Sequence, residues 1–158
     1  TVRVSRRLFA GLLGLCERSP YRKPGIIESG GRKIDMRQVN VGAYVIGGVT
    51  DHITPWKGCY GTARMFGEKS MFVLANAGHL QSLLNPPGAP KAHFFAAPAK
   101  ADSPEDLAKS AIRTEGSWWP HWREWIRARS GELIKAPRKV GSRKYRPLCA
   151  APGTYVFE

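Results

Sequence analysis

Two short apolar runs separated by one helical stretch constrain this chain more than any other feature. Val41-Gly42-Ala43-Tyr44-Val45-Ile46-Gly47-Gly48 is continuously apolar and rich in strand-forming residues, as is Ser70-Met71-Phe72-Val73-Leu74-Ala75. Runs of this kind suit strands buried on both faces of a parallel sheet. Between them Thr54-Pro55 marks a helix start, with Thr54 as its cap and Pro55 in the first turn. The helix is expected over about 56–67, ending at Gly67. A right-handed strand-helix-strand unit delivers the C-terminal ends of both strands to one sheet edge. Open α/β folds carry their chemistry at that edge. The residues emerging there are Asp51 and, in Asn76-Ala77-Gly78-His79, His79. An Asp orienting a His that acts as general base is two-thirds of a nucleophilic triad. A turn aspartate and an unrelated loop histidine would give the same pattern.

The flanks are read more coarsely. Residues 3–17 read as an amphipathic helix, with Leu8, Leu12, Leu15 and Cys16 on one side, Arg3 and Arg7 off it, and Ser19-Pro20 as the stop. Ser5-Arg6-Arg7-Leu8-Phe9 resembles a twin-arginine export signal, but Cys16-Glu17-Arg18 cuts the apolar run short and no small-residue cleavage site follows. Residues 20–40, with Pro24-Gly25 and Gly30-Gly31, read as loop with one short helical turn. The stretch from Asn85 to about 102 reads as a Pro- and Ala-rich loop. Ser103-Pro104-Glu105-Asp106 is a capped helix start, and Gly116-Ser117-Trp118-Trp119-Pro120-His121-Trp122 opens another helix, with Gly131 as its stop. Trp118, Trp122 and Trp125 fall on one face at helical spacing, which suits packing against the sheet, or alternatively a stripe that grips a polymer chain or stacks nucleobases. Residues 132–147 are basic and poor in apolar side chains, and the tail around 151–156 reads as a turn followed by a short strand.

Composition narrows the class. The 158 residues carry 25 Lys and Arg against 12 Asp and Glu, a net charge of +13. The excess is spread along the chain, so it reads as a solubilising surface, or as attraction for a phosphate-bearing partner, and not as a nucleic-acid arm. Three distant cysteines without a CxxC pair argue against a disulfide framework and for a reducing, cytoplasmic setting. His, Cys and carboxylates show no metal-ligand spacing, so no metal is expected, and His93 and His121 read as surface or loop histidines.

Four motifs resemble one family, the polyhydroxyalkanoate synthases. Thr50-Asp51-His52-Ile53-Thr54-Pro55-Trp56 resembles their acidic motif, and Gly78-His79-Leu80-Gln81-Ser82-Leu83-Leu84-Asn85-Pro86-Pro87-Gly88 their histidine motif. Gly116–Trp122 and Ala150-Ala151-Pro152-Gly153-Thr154-Tyr155-Val156 resemble later landmarks, in the same order. The resemblance implies the C-terminal portion of an α/β-hydrolase fold: a strand-helix-strand unit, C-terminal helices and an incomplete sheet. Residues 1–158 would be part of one catalytic domain, with 1–40 a cap- or lid-related segment and 41–158 the end of the core.

The implied activity is acyl transfer, polymerising 3-hydroxyacyl-CoA thioesters into a storage polyester with release of coenzyme A. CoA enters as substrate carrier, and no cofactor is implied. Asp51 and His79 match the acid and base of a Cys-Asp-His triad, while His52 and Trp56 are candidates for substrate contacts. The implied partners are the 3-hydroxyacyl-CoA, the growing polyester and granule surface, and a second copy in a homodimer. Cys16, Cys59 and Cys149 all lack the Gly-x-Cys-x-Gly elbow that should precede the Asp. The chain alone is therefore expected to be inactive. An esterase or depolymerase on the same fold, or a basic non-enzymatic binding module, are the competing expectations.

Overall fold

A computed structural model describes residues 4–18, 23 and 25–157. Helix α1 is Arg6–Arg18, followed by an antiparallel hairpin of β1 (Ile27–Ser29) and β2 (Arg32–Ile34). A short 3-10 turn at Met36–Gln38 leads to β3 (Tyr44–Gly48), α2 (Trp56–Met65) and β4 (Met71–Ala75). Then come α3 (His79–Leu84), β5 (His93–Pro98), α4 (Pro104–Ser110), β6 (Ile112–Glu115) and α5 (Trp119–Arg127). The main sheet runs β3-β4-β5-β6, with β3 and β4 parallel and the other two pairs antiparallel.

The parallel pair and its connecting helix are as expected. Tyr44 pairs Met71 and Gly48 pairs Ala75, so the two strands end level. Helix α2 stops at Met65, and Gly67 takes a left-handed φ of +82° just after it. That conformation is easy for glycine and lets the chain turn back into β4. The buried Ser70 hydroxyl accepts from Ala43 N at 3.0 Å and ties the starts of the two strands together.

Alternation along β4 builds two cores. Phe72 faces Tyr60 and Ala63 of α2, Ala97 and Ala99, and Leu107 of α4. Val73 and Ala75 face Phe94 and Trp118 on the other side. Leu107 is 2% exposed, and burial of such a side chain contributes about 1.5–3 kcal/mol. Ser103 caps α4 by accepting from Asp106 N at 3.0 Å, with Pro104 and two acids in the first turn, as the sequence reading expects.

Several expectations are corrected. The elements after β4 are not helices alone. Residues 93–98, expected as loop, form β5, which pairs antiparallel with β4 and is joined there by the Asn76 side chain (Asn76 Nδ2 to Lys91 O, His93 N to Asn76 Oδ1, both 2.9 Å). Ile112–Glu115 adds a fourth strand, exposed throughout. Residues 27–34 form a hairpin rather than loop, the turn being made by Gly30 and Gly31 at positive φ. The tail ends in a 3-10 turn, Tyr155–Phe157, not a strand. Strand β3 is half-buried and unpaired on its outer side among the described residues. Arg3, Ser19-Pro20 and Pro24, used above, lie outside the described residues. None of the described helices is long and apolar enough to cross a membrane.

Candidate active site

After β3 the backbone stays paired with the neighbouring loop: Val49 N donates to Ala75 O at 3.0 Å and Thr50 N to Ala77 O at 3.3 Å. Asp51 follows at the strand's C-terminal edge and folds its side chain back over the next turn. Its Oδ1 accepts from the amides of Ile53 and Thr54, both at 2.9 Å. This is the local turn that aspartate forms readily. Its Oδ2 accepts from the Thr54 hydroxyl at 2.7 Å and meets His79 Nδ1 at 2.9 Å.

Thr54 is therefore not the cap of α2, as the sequence suggests. The capping position is Pro55, without a side-chain bond, and the Thr54 hydroxyl is spent on the carboxylate. The Asp51 side chain is 6% exposed. Burial alone would raise its pKa, but the donors from Thr54, His79 and Ile53 outweigh it and hold the carboxyl well below the usual range. The group is a fixed anion.

His79 sits at the opposite loop, on the first residue of α3, with its side chain 38% exposed. A carboxylate can only accept, so the 2.9 Å contact makes Nδ1 the protonated nitrogen. In the neutral ring the lone pair then falls on Nε2, which has no hydrogen-bond partner among the described residues. The ring approaches because α3 packs closely on the end of β3. A Cβ at Gly48 would stand 2.5 Å from the Ala77 carbonyl and closer still to the Ser82 hydroxyl, so only glycine admits the helix. Ser82 in turn donates to Gly78 O at 2.5 Å and to Ala77 O at 3.0 Å, fastening the turn that carries His79.

The other candidates part company. His52 is exposed and makes no side-chain hydrogen bond among those described. Trp56 is half-buried, 6.3 Å from the Phe72 ring, and lines an apolar cavity of about 110 Å³ with Leu74, Phe95, Leu107, Ala108 and Ala111. Cys59 directs its thiol to Thr54 O at 3.7 Å, and burial together with the Asp51 charge pushes its pKa up, which disfavours the thiolate. Cys149 is exposed in the tail segment. The described residues contain no cluster of three or more His, Cys, Asp or Glu able to hold a metal.

Two histidines expected at the surface are placed elsewhere. His93 is half-buried in β5. His121, on α5, is half-buried among aromatics: Nδ1 is 2.7 Å from the Tyr44 hydroxyl, and the ring lies 5.6 Å from Phe94. The tryptophans do not share one buried face either. Trp118 precedes α5 and is 6% exposed against the sheet, Trp125 packs edge-on to Tyr44 at 5.4 Å, and Trp122 is exposed. Trp118 is the capping residue of α5 and its carbonyl accepts from Trp122 N at 2.9 Å, so the helical spacing holds, but the burial of the three rings differs.

These observations define an α/β protein that presents an anchored carboxylate–imidazole pair at the C-terminal edge of two parallel strands. No protein-family model matches the chain. Among curated proteins it is 42% identical over 158 residues to poly(3-hydroxyalkanoate) polymerase 1 and 45% identical over 158 residues to poly(3-hydroxyalkanoate) polymerase 2, both of Ectopseudomonas oleovorans. It is 35% identical over 133 residues to the poly(3-hydroxyalkanoate) polymerase subunit PhaC of Cupriavidus necator. These alignments take in 100%, 99% and 84% of this chain. They take in 28%, 28% and 23% of the relatives, so the chain spans about a quarter of their length. The chain belongs to the poly(3-hydroxyalkanoate) polymerase family, as a segment homologous to part of those proteins.

Proposed function

We propose that this segment is the C-terminal part of a polyhydroxyalkanoate synthase and supplies two members of its Cys-Asp-His triad, Asp51 and His79. The observation that carries the reading is the 2.9 Å contact between His79 Nδ1 and a fixed Asp51 carboxylate, which leaves Nε2 as a base. In this reading the nucleophilic thiol comes from the rest of the polymerase. Nε2 takes the thiol proton as sulfur attacks the thioester carbonyl of 3-hydroxyacyl-CoA. The carbon–sulfur bond to CoA breaks, and the proton passes from His79 to the departing CoA thiolate. The acyl group is now on the enzyme sulfur. His79 then takes the proton of an incoming 3-hydroxyl as its oxygen attacks that acyl carbon; the carbon–sulfur bond to the enzyme breaks, and His79 returns the proton to the departing thiolate, leaving the new ester and the free enzyme thiol. Asp51 keeps the imidazole in the tautomer both steps require. Thiolate suits the first exchange because one thioester replaces another at little cost.

His52 is then a rim residue facing entering substrate, and Trp56 acts by packing α2 under the Asp51 turn. The growing polyester, the granule surface and a second copy of the complete enzyme are the partners this activity calls for. The test is CoA release from a 3-hydroxyacyl-CoA by the complete polymerase carrying this segment. His79→Gln should abolish release and polymer formation together. Full activity of that variant would sink the proposal, and free hydroxy acid in place of polymer from the unmodified enzyme would make it a hydrolase.

A further inference from the structure

Helix α3 carries the base yet is only six residues long, too short to hold its own geometry. Its C-terminal carbonyls would go unpaired without outside donors. The structure supplies three, all from one tripeptide. Trp118 Nε1 donates to Ser82 O at 2.7 Å, Ser117 Oγ to Asn85 O at 2.5 Å, and Trp119 Nε1 to Leu83 O at 3.3 Å. Trp118 and Ser117 are 6% and 7% exposed, so water is a poor substitute for either bond. The Trp118 ring is itself fixed, stacked on Trp119 at 5.0 Å and set against Val73, Ala75 and Phe94 of the sheet. Ser82 is thus held from two sides: its carbonyl by the Trp118 indole, its hydroxyl by the carbonyls of Ala77 and Gly78, the residues leading into His79.

We infer that Trp118 is a positioning residue for the His79 base: its indole N–H sets the depth of α3 against Gly48 and thereby the approach of the imidazole to Asp51. This rests on the reading of Asp51 and His79 as acid and base. Ser117 is the second tether, and Trp119 the weaker third. The tryptophan-rich motif, 36 residues beyond Ser82, then serves the chemistry without touching substrate.

The test is a double-mutant cycle in the complete polymerase carrying this segment, read as CoA release. Trp118→Phe keeps an aromatic ring and removes the donor, and benzothienylalanine at 118 removes the donor with almost no change of shape. Either should lower kcat about tenfold and leave KM within about twofold, as expected when an interaction made in the transition state is lost. In an Asp51→Asn background the same change should cost less than about threefold, because the geometry it protects is already gone. Ser117→Ala should show the same coupling with a smaller first effect, and provides the cycle if Trp118→Phe does not fold. An equal loss in both backgrounds, or wild-type kcat in the benzothienylalanine variant, overturns the inference. Unchanged activity of Asp51→Asn itself would instead overturn the acid–base reading.

Discussion

Gly48 and Ser82 meet with no room for a methyl group between them. The contact joins the end of the strand that leads to Asp51 to the helix that begins with His79. Gly48→Ala should therefore push α3 outward, destabilise the fold by about 1–3 kcal/mol as overpacking does, and cost activity in the complete polymerase. Gly58→Ala is the control. It lies inside α2 with nothing within 4 Å of a new Cβ, and should be neutral or stabilising by about 0.5–1 kcal/mol. Thermal melts of the two variants check the contrast, and equal melting points would refute it.

Asp51→Asn in the complete polymerase should cost far more activity than Asp35→Asn. Asp35 pairs with Arg37 at 2.8 Å on the surface and caps the short turn there. Loss of the triad aspartate costs about 10⁴ in turnover for a serine protease. A thiol is a better nucleophile unaided, so a smaller factor is expected here. Equal losses in the two variants would remove Asp51 from the mechanism.

The Tyr44–His121 pair should give the domain a window of maximum stability. Burial pushes the Tyr44 hydroxyl well above its usual pKa, so the stability it adds is complete below about pH 10 and is lost as pH rises beyond. Burial lowers the pKa of His121, so its contribution is complete above about pH 6.5 and is lost as pH falls. Melting temperature against pH should fall on both sides. Tyr44→Phe should flatten the alkaline fall, and an unchanged alkaline limb in that variant would show that Tyr44 does not report the transition.

The chain by itself should associate and release no CoA. Leu8, Phe9, Leu12 and Leu13 of α1 are about half exposed, and Leu133, Ile134, Leu148 and Phe157 are nearly bare. Such surface, together with the outer side of β3, which has no partner strand among the described residues, favours aggregation. Sedimentation velocity and a CoA-release assay check the two halves. A monodisperse monomer would refute the first, and turnover that disappears in Cys59→Ala would refute the second.

What could be read in advance follows from how local each cause is. Strands β3 and β4 announce themselves because Val45, Ile46, Val73 and the aromatics favour extended backbone whatever their neighbours are. Ser103 and Pro104 act within one turn of α4, so its start is equally visible. Strand β5 is different. His93-Phe94-Phe95-Ala96-Ala97-Pro98 lies downstream of three prolines, and its extended shape comes from pairing with β4 and from the Asn76 side chain 17 residues earlier. The Asp51–His79 contact could be anticipated because topology alone brings two strand ends level. The bracing from Trp118 could not, since it is an indole reaching a carbonyl 36 residues away. The role of Thr54 is hidden for a related reason: a hydroxyl before a proline can serve a helix end or an adjacent carboxylate, and only the fold decides.

The two margins of the main sheet are unlike. Strand β6 is four residues long, exposed throughout, and bears the Arg113–Glu115 ion pair at 2.8 Å. Short charged strands repel further pairing. Strand β3 is longer, apolar and open on its outer side among the described residues. The sheet consequently has a direction of growth. A further strand is therefore admitted beside Tyr44–Gly48 and not beside β6, and the strand it would flank is the one whose C-terminal end leads to Asp51 and, 2.9 Å from that carboxylate, the imidazole.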